Sequence, residues 1–181
     1  MSEVRLVTPG HHWLPGYRAA LEAGWSPNTS RDVSADHLAA IRADADAFLA
    51  DQARTEGGLA AGPDGAPVPR LPGRIRWIVG ERFLGLINLR FVPGTEALPP
   101  HVSGHVGYAV VPWERGRGVA RRALAIMLPL AAEAGLRRVL VTCDVGNDAS
   151  RRVIEANGGV PDGTEAHGAV PKWRFWVPTG V

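Results

Sequence analysis

A short segment rich in glycine and arginine offers the clearest chemistry in the sequence. Arg115, Gly116, Arg117 and Gly118 follow an apolar run and precede an amphipathic one, so a strand is expected to turn directly into a helix there. Such a turn directs backbone N–H groups and the positive end of the helix dipole at one point. The glycines keep side chains away from those donors, and the arginines add charge-assisted hydrogen bonds. The segment therefore predicts a site for a phosphate or pyrophosphate group.

Other phosphate-binding and metal-binding patterns are missing from the sequence. There is no Gly-x-x-x-x-Gly-Lys-Ser/Thr loop, and the turn lacks the three-glycine dinucleotide pattern with an acidic residue about twenty positions further on. A nucleotide hydrolase or a dehydrogenase is therefore disfavoured. The scattered histidines and the single cysteine, Cys143, do not approach the spacing of a structural zinc site, so no metal is expected. A single cysteine also excludes an internal disulfide.

The elements around this turn predict an α/β unit in the second half of the chain. Predicted strands cover 105–111, 138–143 and 173–177, and predicted helices cover 119–135 and 148–157. Pro129 removes one backbone donor inside the first of these helices and is expected to bend it. Strand and helix alternate, which is typical of an α/β domain.

The first half is expected to supply helices and a hairpin. Two amphipathic helices are predicted at 13–24 and 35–53, with Ser34 as N-cap of the second. Residues 74–91 predict an antiparallel hairpin that turns at 80–82. Glycine and proline are so frequent between residues 57 and 73 that a long, mobile loop without helix or sheet is expected there.

Composition and charge define the expected class of protein. The 181 residues are 45% hydrophobic and 21% charged, which fits one globular domain over residues 1–181. No apolar run approaches the roughly 20 residues of a membrane span, and the opening lacks the pattern of a signal peptide, so a soluble, cytoplasmic protein without a membrane partner is expected. A net charge of +2, with arginines concentrated between Arg115 and Arg152, favours a local anion site over a nucleic-acid partner.

Several motifs resemble the GNAT superfamily of acetyltransferases. Arg115-x-x-Gly118-x-Ala120 after an apolar strand matches the Arg/Gln-x-x-Gly-x-Gly/Ala signature of that superfamily. Residues 139–159 resemble its fifth strand and fourth helix, and the order of helices, hairpin and motifs also agrees. The segment GHVGYAVVPWERGRGVA, with VLVTCD and Asn-Gly-Gly after it, is closest to a bacterial subgroup of predicted acetyltransferases.

The resemblance implies a GNAT fold, in which a mixed central sheet of about six to seven strands is splayed between its fourth and fifth strands and flanked by helices. It implies an N-acyltransferase that uses acetyl-CoA as co-substrate, without a metal, and passes the acetyl group to a primary amine by direct attack. A small-molecule amine and a peptide are both open as acceptors. The alternative is a degenerate GNAT-like domain that binds acyl-CoA as a sensor without turnover.

The resemblance also implies where the acyl-CoA binds. The pantetheine arm is expected to pair with the backbone near Val110 and Val111, and Asn147 and Ser150 are expected to reach its other side. The alternative for these two side chains is that they only cap the helix that follows. The pyrophosphate is expected on the amides of Arg115, Gly116, Arg117, Gly118, Val119 and Ala120.

His105 is the first candidate for the general base, because it occupies the strand position where many members of the superfamily carry a glutamate. An imidazole with an ordinary pKa can accept a proton at neutral pH. The alternative is a strand histidine with a structural hydrogen bond. His101 and Glu114 are weaker candidates. Many relatives place a tyrosine where this chain has Ile154, so Ser150, a water, another residue or no acid at all serves the leaving thiolate.

The remaining candidates are assigned to packing or to the acceptor. Tyr108 alternates with His105 along the strand, so it is assigned to the core if His105 faces the acceptor. Cys143 is expected to be a buried, inert thiol. The resemblance implies that the N-terminal helices shape the acceptor pocket, and it points to Trp25, Asn28 and Arg31 as acceptor contacts. It also implies a possible homodimer through the apolar strand at residues 173–177.

Overall fold

The computed structural model describes residues 3–61, 66–166 and 170–180, which form nine strands and five helices. The strands are β1 (Arg5–Val7), β2 (Leu59–Ala61), β3 (Pro67–Pro69), β4 (Gly73–Val79), β5 (Phe83–Arg90), β6 (Val106–Val110), β7 (Arg138–Asp144), β8 (Val160–Glu165) and β9 (Lys172–Pro178). The helices are α1 (Leu14–Glu22), α2 (Ser34–Ala43), α3 (Ala45–Ala53), α4 (Val119–Glu133) and α5 (Asp148–Glu155). None of the helices described is long and apolar enough to cross a membrane.

Seven strands form one mixed sheet in the order β1-β4-β5-β6-β7-β9-β8. Neighbouring strands run antiparallel except β6 and β7, which run parallel and pair only at Val106 and Val141. Because β6 has five residues and β7 has seven, most of their facing edges have no partner, and the sheet opens at its centre. The predicted α/β fold, with a mixed sheet of seven strands and flanking helices, is confirmed.

Helices cover both faces of this sheet. On one face, α4 and α5 pack on a core that includes Ile78, Ile87 and Val139. The residues that α4 buries recur every three to four positions, as expected of an amphipathic helix, and they are Val119, Ala123, Leu124, Met127, Leu128 and Ala131. On the other face, α1 to α3 pack around Tyr17, whose ring stacks on Trp77 with a centroid distance of 4.6 Å.

The predicted hairpin and the α/β half are confirmed, but the first helical region differs from the prediction. The helix expected at 35–53 is two helices, because Asp44 adopts an extended backbone and its carboxylate accepts a hydrogen bond from the Ala47 amide at 2.9 Å. Asp44 therefore ends one helix and caps the next. Val33, not Ser34, is the N-cap of α2, and the Asp32 carboxylate accepts a hydrogen bond from the Ser34 amide at 2.8 Å.

Four short strands, β1, β2, β3 and β8, were absent from the sequence-based prediction. β1 pairs with β4, and β2 pairs with β3 inside the region expected to be a structureless loop, of which residues 62–65 lie outside the described chain. β8 pairs with β9 and forms the edge of the sheet. The strand at residues 173–177, which the resemblance pointed to for a homodimer, lies between β7 and β8 and has no free edge.

Candidate active site

The turn between β6 and α4 has the backbone geometry of an anion site. After a short 3-10 turn at Pro112–Glu114, Gly116 and Gly118 have φ angles of 74° and 70°, in the left-handed region that favours glycine. The N–H groups of residues 116–120 donate to no acceptor in the described part of the chain. Residues 116–118 are exposed, and the donors lie at the start of α4, where the helix dipole is positive. The turn can therefore hold a negatively charged group.

Side chains of the turn stabilise this backbone geometry through contacts with neighbouring parts of the chain. Arg115 Nε donates to the carbonyl oxygen of Val110 at 3.1 Å, which ties the turn to the end of β6. Glu114 is only 4% exposed and pairs with Arg82 at 2.8 Å and with Arg117 at 3.4 Å. Because its carboxylate is engaged by two arginines, Glu114 has a structural role. The sequence favoured solvent exposure for this weaker candidate, whereas the structure buries it.

A cavity of about 660 Å³ runs along the turn and into the gap between β6 and β7. Eight of the ten residues predicted to bind the cofactor line it, and they are Val110, Arg115, Gly116, Gly118, Val119, Ala120, Asn147 and Ser150. Arg117 does not line the cavity, and Val111 is fully buried in the core. The structure thus brings most of the predicted set to one place.

A second cavity, of about 530 Å³, adjoins the first. The residues that line both are Thr29, Val106, Gly107, Tyr108, Thr142 and Lys172. Since β6 and β7 separate at Val106, the two cavities meet where the sheet opens. A molecule bound in one can therefore come into contact with a molecule bound in the other.

Tyr108 occupies this junction. Its hydroxyl lies 2.6 Å from Ser150 Oγ, at the start of α5, and burial raises the pKa of the phenol to about 12. The side chain is therefore protonated at neutral pH and can donate a hydrogen bond. Asn147 caps α5, because its side-chain oxygen accepts from the Ser150 amide at 3.1 Å. Tyr108 thus reaches the cleft, although the sequence-based interpretation assigned it to the core.

His105 lies away from both cavities. The residue is fully buried and lines neither cavity. The Leu140 amide donates to its Nδ1 at 2.9 Å, and burial, together with the charge of Arg90, lowers its pKa to about 4. This geometry agrees with the structural alternative for His105 and gives no route for a proton from an acceptor. His101, the weaker candidate, is exposed and lines the second cavity.

The three predicted acceptor residues are divided between two environments. Asn28 lines the second cavity. Trp25 is 3% exposed and packs edge-on against Tyr17 in the helical core, so it lies outside both cavities. Arg31 also lies outside them and pairs with Asp36 at 3.3 Å. Of the three residues, only Asn28 lines a cavity.

Comparison with protein families decides the classification. A family model of the acetyltransferase (GNAT) domain matches residues 31–160, which is most of the chain. The chain belongs to the GNAT acetyltransferase family. The predicted resemblance and the assignment as an N-acetyltransferase are thereby confirmed. No curated protein matches the chain.

Solved structures share this GNAT fold at low sequence identity. The microcin C7 self-immunity acetyltransferase, in complex with acetyl-CoA and AMP, is 13% identical with a TM-score of 0.63, over 97% of this chain and 92% of that one. An acetyltransferase from Salmonella typhimurium that modifies the N-terminal serine of ribosomal protein L7/L12 is 14% identical with a TM-score of 0.62, over 98% and 96%. A chimeric spermidine N-acetyltransferase from Vibrio cholerae is 13% identical with a TM-score of 0.61, over 98% and 96%.

Sequence reasoning missed the part of this GNAT site that lies on β5. Asn88 and Arg90 line the second cavity, and residues from the β2–β3 region, including Arg70, join them. Alternation along a strand places Asn88 and Arg90 on one face, but only the sheet order shows that this face meets a cavity. Among the described residues, no group of three or more His, Cys, Asp or Glu side chains is arranged to hold a metal.

Proposed function

We propose that this GNAT domain transfers an acetyl group from acetyl-CoA to a primary amine by direct attack of the amine on the thioester. The observation that supports this most strongly is the pair of adjoining cavities. One follows the glycine turn with its free amides, and the other shares six lining residues with it. Two substrates can therefore be held side by side, which is the main requirement of a direct transfer.

The residues present fit acetyl-CoA in the first cavity. Its pyrophosphate would accept hydrogen bonds from the amides of residues 116–120, and Arg115 contributes positive charge nearby. The amides of its pantetheine arm would pair with the edges of β6 and β7, which have no strand partner beyond Val106 and Val141. Fold neighbours that bind acetyl-CoA support the choice of donor.

A covalent acetyl-enzyme is disfavoured by the environment of Cys143. The thiol is the only free cysteine among the described residues and lines the first cavity. Burial raises its pKa, so the reactive thiolate is scarce at neutral pH. The residue is only 5% exposed. The acetyl group is therefore passed directly to the amine.

His101 is placed to accept the proton that the attacking amine loses. As the new N–C bond forms and the C–S bond breaks, the ammonium nitrogen must release a proton. Among the described side chains that line the second cavity there is no aspartate or glutamate, and His101 is the only histidine, the residue type most often used as a general base. His101 therefore replaces the buried His105 as the proposed base.

Tyr108 is placed to assist the leaving thiolate. Its hydroxyl lies at the junction of the cavities and is kept protonated by its raised pKa. Ser150 Oγ, at 2.6 Å, holds the hydroxyl in place, and when Ser150 donates its own hydrogen to the phenol oxygen the phenolic hydrogen is free for the thiolate. A hydrogen bond from Tyr108 would stabilise the negative charge that develops on sulfur. Tyr108 on β6 would thus take the role of the tyrosine that many relatives carry where this chain has Ile154.

The proposal is tested by free-thiol release from acetyl-CoA across a panel of amines, with mass spectrometry of the amine product. Amine-dependent thiol release, matched one-to-one by a product heavier by one acetyl group, is the expected result. Binding of acetyl-CoA without release in the presence of any amine would support the sensor alternative instead. Release that does not depend on an amine would indicate hydrolysis and contradict transfer.

A further inference from the structure

The second cavity is strongly basic. Its described lining includes six side chains that carry or can carry a positive charge, and these are Arg54, Arg70, Arg74, Arg90, His101 and Lys172. None of the described residues that line it is an aspartate or a glutamate. A concave surface with charges of one sign concentrates ligands of the opposite sign.

Nearby carboxylates neutralise only part of this charge. Arg70 and Arg54 share Asp51, at 2.8 Å and 3.6 Å. Arg74 pairs with Glu133 at 3.1 Å. Lys172 is likewise paired, with Asp144 at 2.5 Å. These pairings leave the charge of Arg90, and of one of the two arginines that share Asp51, without a carboxylate.

Arg90 has the environment of a cation that lacks its counterion. Its Nε donates to the Gly104 carbonyl at 2.7 Å, and it forms no ion pair with any described carboxylate. Burial lowers its pKa, because the charged form loses hydration without gaining a negative partner. The two terminal nitrogens of the guanidinium donate to no described residue. They remain available to a carboxylate or a phosphate, either of which arginine binds with two parallel hydrogen bonds.

Asn88 adds a neutral donor on the same face of β5. Its Oδ1 accepts a hydrogen bond from the Gly107 amide at 3.2 Å, which fixes the orientation of the side chain. Its Nδ2 donates to no described residue, and Asn88 belongs to the lining of the cavity. Asn88 and Arg90 are two residues apart on one strand, so both side chains point to the same side of the sheet.

We propose that the acceptor is a small amine that also carries a carboxylate or phosphate group, and that Arg90, with Asn88 beside it, binds this anion. The inference rests on the proposed acetyl transfer and names the class of its acceptor. A cavity of about 530 Å³ fits a small molecule. The anionic group, anchored on β5, leaves the amine free to reach the thioester near Tyr108. A polyamine such as spermidine, whose charges are all positive, is excluded by the same basic lining.

The test compares acceptors that differ only in the anionic group. Glycine is paired with glycinamide, β-alanine with its amide, and phosphoethanolamine with ethanolamine, and spermidine serves as the cationic acceptor. We expect kcat/KM to be at least about tenfold higher for the anionic member of a pair, as for one charge-assisted hydrogen bond. Whether the carboxylate pairs or the phosphate pair shows this preference identifies the anion.

Two variants assign the preference to Arg90. In Arg90→Met, the kcat/KM values for the anionic and uncharged members of a pair should agree to within about twofold. The affinity for acetyl-CoA should not change. Arg76→Met is the matched control, because Arg76 is also an arginine whose pKa burial lowers, but it lies outside both cavities. It should keep the preference. An equal or higher rate for the uncharged members or spermidine, or a preference that survives in Arg90→Met, would overturn the proposal.

A binding measurement separates this inference from the proposed function. Thermal stabilisation by phosphate is recorded for the wild type, for Arg90→Met, and for Gly118→Glu, in which the turn is blocked. Stabilisation that persists in Gly118→Glu and is lost in Arg90→Met supports the anion site even if no amine in the panel is acetylated. Stabilisation lost only in Gly118→Glu, or absent from the wild type, would contradict it.

Discussion

The Tyr108 hydroxyl lies 2.6 Å from Ser150 Oγ, and this contact joins β6 to the start of α5 across the open part of the sheet. The two strands beside the cleft pair at a single position, so this side-chain contact helps to set the width of the gap. It also places a protonated phenol where the two cavities meet. Tyr108 therefore both connects β6 to α5 and supplies the proposed hydrogen-bond donor.

Replacing Tyr108 with phenylalanine removes the proposed donor to the leaving thiolate. We expect kcat to fall about a hundredfold, as when one donor to a developing charge is lost. The affinity for acetyl-CoA, measured by calorimetry, should change little because the turn is untouched. Ser150→Ala removes only the partner of the phenol and should cost less. A Tyr108→Phe enzyme within twofold of the wild-type kcat would eliminate this role.

Replacing His101 with glutamine removes the proposed base without removing a polar side chain. We expect kcat/KM for the amine to fall about a hundredfold. His11→Gln is the control, because His11 is exposed and pairs with Asp46 at 2.6 Å, away from both cavities. Equal kcat/KM values for the two variants would show that the amine loses its proton to water.

Buried His105 should make folding stability depend on pH. Its pKa is lowered to about 4 by burial and by Arg90, whereas a histidine in an unfolded chain titrates near pH 6.5. Between these two pH values the unfolded state therefore binds more protons than the folded state. The contribution of His105 to folding stability is fully present above pH 6.5 and is lost as the pH falls towards 4. Urea unfolding should show a loss of about 2 kcal/mol between pH 7 and pH 5.

The variant His105→Gln separates this effect from catalysis. Glutamine keeps an oxygen that can accept from the Leu140 amide but does not titrate. Its stability should vary less than that of the wild type between pH 7 and pH 5, and its turnover per folded molecule at pH 7 should be unchanged. A normal pH dependence of stability combined with lost turnover would restore His105 as the base.

The parts of the site that could be predicted are those that a few neighbouring residues determine. Gly116 and Gly118 are needed for left-handed backbone in a turn of a few residues, so their spacing is visible without knowledge of the fold. The opening of the sheet beyond Val106 depends on how β6 meets β7, far along the chain. The open sheet was therefore predicted from the resemblance to a family and not from the periodicity of apolar residues.

The choice between His105 and Tyr108 shows why side-chain roles were harder to predict. Alternation along β6 places the two on opposite faces, but both faces of this central strand are covered by protein. The pattern of apolar residues therefore could not show which face meets the cleft. The edge strand β8 was missed for a related reason, since its Pro161, Asp162 and Gly163 are poor strand formers. The strand pairs with β9 only around a bulge between Pro161 and Thr164, in which Gly163 has a φ of 78°.

The central claim, that the turn at residues 116–120 binds acetyl-CoA, is tested most directly by calorimetry of acetyl-CoA with three proteins. These are the wild type, Gly118→Glu and the control Gly24→Glu, in which a glycine with a φ of 85° outside both cavities receives the same side chain. Both substitutions strain the backbone, but only the first places a carboxylate among the free amides. Binding to the wild type and to Gly24→Glu, with none to Gly118→Glu, is the predicted result. Unchanged affinity in Gly118→Glu would contradict the site.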